Sequence, residues 1–332
     1  MSGTSDLDQL FSDLAAGSRV ALARAITLVE STRPEHRAQA AALLDRCTEI
    51  TRDTFRFAVS GAPGVGKSSL IEALGKVIVA DGHRLAVLAI DPSSPVSHGA
   101  ILGDKTRMES LSRHPHVFIR PSAAGATLGG VADRTREVIL LCEAAGYDHL
   151  CVETVGVGQS ETAVERMTDF FLLLLLPGGG DDLQGIKKGI VELADLIAVT
   201  KTDGIHRDAA KETQRYYARA LHYLSNRDHG IPTKVITCSA IQEQGIDKIW
   251  AAMQNFASMT RSSGYHAQHR ARQNTYWFDT RARQLMYEAL LQIPAVQAEF
   301  GALRARIAEQ TLSVSSALRQ LEQIIPNALK TS

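Results

Sequence analysis

The sequence predicts an α/β fold, a doubly wound and mostly parallel sheet with helical N-terminal and C-terminal extensions. Short apolar runs alternate with helical segments through the middle of the chain, at residues 55–60, 85–90, 117–120, 149–152, 170–176, 196–200 and 235–238. Such alternation demands crossover connections, and crossovers produce parallel strands. The first run passes directly into a glycine-rich loop and then into a helical pattern. After Trp250 the strand-like runs stop and only helical spacing remains.

Residues 1–50 read as a helical extension. Leu7, Leu10, Phe11 and Leu14 recur on one helical face, and an Ala-rich stretch runs from residue 38 to residue 47. Residues 51–260 hold the sheet. Within them Phe170, Phe171 and the five leucines that follow are far too short to span a bilayer, so they read as a central strand buried on both faces. Arg261-Ser262-Ser263-Gly264 reads as a linker into a C-terminal helical region, residues 261–332. There Leu285, Met286, Leu290 and Ile293 recur at helical spacing, as do Val296, Phe300, Leu303 and Ile307, and then Val314, Leu318 and Leu321. Such stripes pack either on the main domain or on a second copy of the chain; the chain-terminal position of the helices favours the second copy.

At 332 residues the chain has room for one large or two small domains with a full core. Its 36 basic residues balance 36 acidic ones, so no global field draws in nucleic acid or an anionic membrane. The first residues carry acid and no apolar core, unlike a transit peptide or a secretory signal. Cys47, Cys142, Cys151 and Cys238 are widely spaced with no CxxC pair, which fits reduced core residues of a cytoplasmic protein. The tightest histidine pair, His114 and His116, has no nearby cysteine to complete a metal site.

The glycine-rich loop reads Gly61-Ala62-Pro63-Gly64-Val65-Gly66-Lys67-Ser68, which is GxxxxGK[ST] without a mismatch, and Ser69 continues into the helix. Its glycines allow backbone N–H groups to point inward at a positive helix end and form an anion nest. Lys67 would reach the β and γ phosphates, and the Ser68 hydroxyl would bind Mg²⁺. The fold class is therefore that of a P-loop NTPase.

Four further segments fall at strand ends, where ligands gather in such sheets. Asp91 ends the second run and can hold Mg²⁺ through its waters or orient an attacking water. Glu153 ends the run at 149–152 in the manner of a Walker B acid, and Gly156 sits where a backbone N–H must approach the γ phosphate. Val157 follows that glycine, so the water-positioning glutamine of Ras-like proteins is missing and Gln159 is out of register. Intrinsic hydrolysis is expected to be slow. Thr200-Lys201-Thr202-Asp203 matches [NT]KxD, with Asp203 placed to accept two hydrogen bonds from guanine N1 and N2 and the Lys201 stem over the ring. Ser239 and Ala240, after the last run, are small enough for backbone N–H groups to reach guanine O6. Together these select GTP and GDP over adenine nucleotides. Two loops, 103–108 and 177–188, have the mobility-prone composition of switch segments.

Three motifs carry a family resemblance: residues 61–69, then Ala89-Ile90-Asp91-Pro92-Ser93-Ser94-Pro95, then Val152-Glu153-Thr154-Val155-Gly156-Val157-Gly158-Gln159-Ser160. With the Gly-rich loop after Leu176, they resemble the methylmalonyl-CoA mutase-associated GTPases of the MeaB/ArgK type, over about residues 15–325. The resemblance implies a homodimer joined through the C-terminal helices. It also implies a chaperone that gates adenosylcobalamin loading into methylmalonyl-CoA mutase and protects or reactivates that enzyme. It places Asp91, Asp104 and Glu153 around the metal with Ser68, and Gln184 and Lys188 in a partner-responsive loop. Thr200 stands where the family usually has Asn. Two alternatives stay open. A nickel metallochaperone GTPase lacks its Cys/His cluster here, and a kinase for a transport-associated binding protein lacks a signature for an acceptor base.

Overall fold

The computed structural model describes residues 2–31, 33–90, 108–120, 128–154, 160–178, 188–224 and 227–331. The chain divides into two compact units, Met1–His269 and Arg270–Ser332.

Unit one opens with three helices, α1 (Ser2–Ala15), α2 (Arg19–Glu30) and α3 (Pro34–Thr48). The Ser18 hydroxyl caps α2 by accepting the Ala21 N–H, and Pro34 starts α3 where its missing N–H costs nothing. Leu10 and Leu14 of α1 are buried, as the apolar stripe requires. The sheet region then runs β1 (Phe55–Gly61), α4 (Lys67–Ala80), β2 (Leu85–Ile90), α5 (Glu109–Ser112), β3 (Val117–Arg120) and α6 (Leu128–Ala144). It continues with β4 (His149–Thr154), α7 (Ser160–Glu165), β5 (Phe170–Leu175), α8 (Lys188–Leu193) and β6 (Leu196–Val199). It closes with α9 (Arg207–Leu221), β7 (Lys234–Thr237) and α10 (Ile246–Ser262).

The seven strands form one sheet in the order β3-β2-β4-β1-β5-β6-β7, and every pairing is parallel. All seven apolar runs are strands. β5 is buried along its whole length, because a strand covered by helices on both faces leaves no position for a polar side chain. β1 lies between β4 and β5, so the loop that follows β1 opens at the middle of the carboxyl edge. The core gathers Phe57 and Val59 of β1, Leu70 and Leu74 of α4, Leu172 of β5, and Ile249 and Met253 of α10. Burial pushes the Cys47 thiol up to about 11 and the Cys238 thiol up to about 12, so neither ionises near neutral pH. No helix among the described residues is long and apolar enough to cross a membrane.

The opposite, amino-terminal edge of the sheet is tied by aspartates. Asp148, Asp169 and Asp195 each stand just before β4, β5 and β6. Each accepts a backbone N–H from the neighbouring strand region: Arg84 at 2.9 Å, Arg56 at 2.8 Å and Phe171 at 2.7 Å respectively. The carboxylates satisfy strand-start donors that the ladder itself leaves over. Burial raises the Asp148 carboxyl, but hydrogen bonds from His149 and His83 outweigh it and hold the group at about 2. A folded value below the ordinary 3.8 means that this contribution is full above pH 4 and is lost as pH falls toward 2. Asp148→Asn is therefore expected to lower the thermal midpoint at pH 6 and to narrow its gap to wild type in that acid window, as followed by circular dichroism.

The expected linker at 261–264 is not one. Arg261 and Ser262 are the last residues of α10, whose end is held by Ser262 and Ser263 hydroxyls donating to the Met259 and Thr260 carbonyls. Only a turn at Ser263 and Gly264, with Gly264 at φ 74°, separates it from α11 (Tyr265–Leu291).

Unit two contains the rest of α11 together with α12 (Pro294–Ala308) and α13 (Val314–Thr331). Trp277, Val296, Leu303 and Ala317 are buried, and Tyr287 meets Phe300 edge-on. Phe278, Leu285, Met286, Val314 and Leu318 are exposed.

Candidate functional site

The loop after β1 is set by three glycines. Gly61 has φ 154°, and a Cβ there would lie 2.6 Å from the Leu174 carbonyl oxygen of β5. Gly64 and Gly66 take φ 77° and 101°, in the left-handed region that favours glycine. No side chain caps the first turn of α4, so its leading N–H groups remain available to an anion at the positive helix end. Gly61→Ala forces both a backbone overlap and an unfavourable φ, with an expected loss of about 1–3 kcal/mol of stability in urea unfolding.

Lys67 is the first residue of α4, and its ammonium folds back over the loop, donating to the Gly61 carbonyl at 2.8 Å and the Ala62 carbonyl at 3.1 Å. Ser68 and Glu153 are both buried, and the Ser68 hydroxyl donates to Glu153 Oε1 at 3.2 Å across the boundary between α4 and β4. Beside them Thr154 donates to the Ser60 hydroxyl at 2.9 Å. A hydroxyl and a carboxylate, both hard oxygen donors, next to a folded-back ammonium suit a magnesium–phosphate pair. Burial, with Glu153 adding to it, pushes the Cys151 thiol well above its ordinary value, so it stays neutral.

The second cluster lies past β6. Lys201 takes φ 54°, a conformation uncommon outside glycine, and it turns the chain so that Asp203 follows at the strand end. The buried Ser239 hydroxyl donates to Asp203 Oδ1 at 2.7 Å. Ser239 also exchanges both backbone hydrogen bonds with Gln244, closing the loop that contains Ala240. Gly245 ends that loop at φ 75°, where a Cβ would lie 2.5 Å from the Thr237 carbonyl. The sequence gives Ser239 only a backbone role; its hydroxyl fixes the Asp203 carboxylate as well.

Thr200 joins the clusters. Its hydroxyl donates to the Val65 carbonyl of the phosphate loop at 2.7 Å, with the Leu175 carbonyl at 3.2 Å. An asparagine is thus not needed for this bridge; a β-branched hydroxyl reaches it. The motif spacing could not reveal this bond, which joins residues 135 positions apart.

The structure thus brings Lys67, Ser68 and Glu153 together, and Asp203 with Ser239. Asp91, Asp104, Gly156, Gln159 and Gln184 lie outside the described residues, as does the Lys188 side chain.

Comparison with known proteins bears on the family and the fold. The family model "Methylmalonyl Co-A mutase-associated GTPase MeaB" matches residues 22–295. A putative GTPase of Caulobacter vibrioides is 47% identical over 318 residues, covering 95% of this chain and 97% of that protein. The mouse protein named methylmalonic aciduria type A homolog, mitochondrial, is 44% identical over 317 residues, covering 92% of this chain and 76% of its own length. A crystal structure of a protein called LAO/AO transport system kinase superposes with a TM-score of 0.77 at 37% identity, over 98% of this chain and 99% of that one. The chain is a P-loop GTPase, and it belongs to the methylmalonyl-CoA mutase-associated GTPase family.

Proposed function

We propose that this GTPase is a chaperone for an adenosylcobalamin-dependent methylmalonyl-CoA mutase, gating cofactor loading and protecting or reactivating the enzyme. The observation that carries this reading is the family match across residues 22–295, joined by the relative named for methylmalonic aciduria. Lys67 would bind the β and γ phosphates, leaving its loop carbonyls to do so. Ser68 and Glu153, with Asp91 and Asp104, would hold Mg²⁺, which supplies charge neutralisation on the phosphate oxygens. Asp203 and Lys201 would read guanine. Water then attacks the γ phosphorus as the bond to the β-phosphate oxygen breaks, and the proton of that water passes to the released phosphate. With no glutamine following Gly156, the chain itself orients the water poorly, which makes the mutase the natural source of acceleration. The exposed apolar residues of α11 and α13 support a homodimer through the C-terminal helices.

The test is a pull-down from native extract with and without a non-hydrolysable GTP analogue. Nucleotide-dependent recovery of a cobalamin mutase supports the reading; a mutase that never co-purifies and leaves the GTPase rate unchanged overturns it. The similar crystal structure carries the name of a kinase, which favours a second reading, protein phosphorylation. γ-Labelled GTP distinguishes the two, because a kinase leaves label on protein and a GTPase releases it as phosphate.

A further inference from the structure

The amino-terminal edge of the sheet holds a second cluster of chemistry that nucleotide hydrolysis does not use. Asp148 precedes β4, His149 is its first residue, and His83 lies two positions before β2. Glu153 is four residues further along β4, about 13 Å away at the rise of a strand. His83 Nδ1 lies 3.0 Å from Asp148 Oδ2, and His149 Nδ1 lies 3.0 Å from Asp148 Oδ1. The two imidazole centroids are 4.3 Å apart, and the three residues can present one ligand atom each within 4.8 Å of one another.

Backbone pairing fixes this arrangement before any ligand arrives. The N–H groups of Asp148 and His149 both donate to the Arg84 carbonyl, at 3.2 and 3.1 Å, and the Arg84 N–H returns a bond to Asp148 Oδ1. Residues 148–149 are thereby locked to Arg84, the neighbour of His83, so little ordering is left for binding to do. His149 is further held by the Trp250 ring, edge-on at 5.3 Å. In front of the cluster lies a cavity of about 740 Å³, lined also by Phe55, Met253 and Arg261. Arg261 is already matched by Asp53 at 2.7 Å, so the facing wall does not place an unbalanced positive charge opposite the cluster.

We propose that His83, Asp148 and His149 form a binding site for a borderline divalent transition cation, of the zinc, cobalt or nickel type. Two imidazoles and one carboxylate match that class and not Mg²⁺ or Ca²⁺, which take oxygen ligands. Each imidazole Nδ1 already lies 3.0 Å from one oxygen of Asp148, His83 from Oδ2 and His149 from Oδ1, so a small contraction of the cluster reaches the separations that metal–nitrogen and metal–oxygen bonds of about 2 Å impose. The cation would displace the two hydrogen bonds now joining the imidazoles to the carboxylate, and the cavity would leave a coordination position for water or an exogenous donor. This site is independent of the mutase reading and lies on the other edge of the sheet from the nucleotide.

Cobalt(II) chloride and zinc chloride, added separately to the nucleotide-free full chain, test it. Expected are one cobalt per chain with visible ligand-field absorption, quenching of Trp250 emission that Trp250→Phe removes, and displacement of cobalt by zinc. His83→Gln and His149→Gln should each weaken zinc binding by at least about tenfold in calorimetry, by the scale seen when metal-site partners are lost. Both variants should keep the wild-type rate of GTP hydrolysis, which shows that they fold. No saturable binding, or a complex that survives both histidine substitutions because it sits at His114 and His116 or at the nucleotide site, overturns the proposal.

Discussion

Lys67→Ala is expected to weaken GTP binding by about two orders of magnitude or more, which is about 3 kcal/mol, while leaving the fold in place. The ammonium is the fixed positive charge contributed by the described part of the phosphate loop, and it now rests on two carbonyls of that loop. Those two bonds are exposed or partly so, and losing them costs the folded state little. The loop itself is shaped by the backbone conformations of Gly61, Gly64 and Gly66, and alanine at the first position of α4 keeps a good helix former there. Calorimetry with Mg²⁺ and GTP, alongside a thermal melt, separates the two effects. GTP affinity within about threefold of wild type would show that Lys67 is not the phosphate ligand.

The second large effect is a change of base. Asp203→Asn should lower GTP affinity by about a hundredfold and raise affinity for xanthosine triphosphate. Guanine presents two donors, N1–H and the N2 amino group, to an acceptor-only carboxylate. In the variant the buried Ser239 hydroxyl still donates to the side-chain oxygen, as it does to Asp203 Oδ1 at 2.7 Å. That bond turns the new amide nitrogen toward the base, where it meets guanine donors but pairs with the xanthine O2 acceptor. A site built to hydrogen-bond one edge rejects an analogue that leaves its groups unpaired, although a partly exposed site does so less severely than a sealed one. Competition between the two nucleotides against a fluorescent analogue gives the measurement. Unchanged GTP affinity would remove Asp203 from base recognition.

The central strands were legible because helices cover both faces of a parallel sheet and leave them largely apolar, whereas the edge strands β3 and β7 are only partly buried. Phe170–Leu175 is the extreme case, buried at every position. The phosphate loop was legible because its backbone admits only glycine at particular points, and the structure shows the obstruction at Gly61 directly. Serines and a glycine at 262–264 imitate a linker in composition, yet the hydroxyls bond back to the helix and close its last turn. Composition does not distinguish a side chain that solvates a loop from one that caps a helix. Contacts between distant segments were likewise hidden. The aspartate ties before β4, β5 and β6, and the meeting of His83 with Asp148 and His149, depend on which strands neighbour one another. His114 and His116 are close in sequence and stack edge-on against each other, whereas the histidines gathered with a carboxylate come from the starts of two different strands.

The single hydroxyl of Thr200, seated on the Val65 carbonyl, makes the two ends of the nucleotide pocket one rigid frame. A ligand that fills both ends then behaves as a chelate. With the phosphates seated, a purine read by Asp203, as proposed, would already be delivered at a high effective concentration and would lose little further freedom. GDP should therefore bind far more tightly than the summed binding free energies of guanosine alone and inorganic pyrophosphate alone imply. Thr200→Val, which keeps the shape and deletes the hydroxyl, should erode that surplus more than it erodes the binding of either fragment.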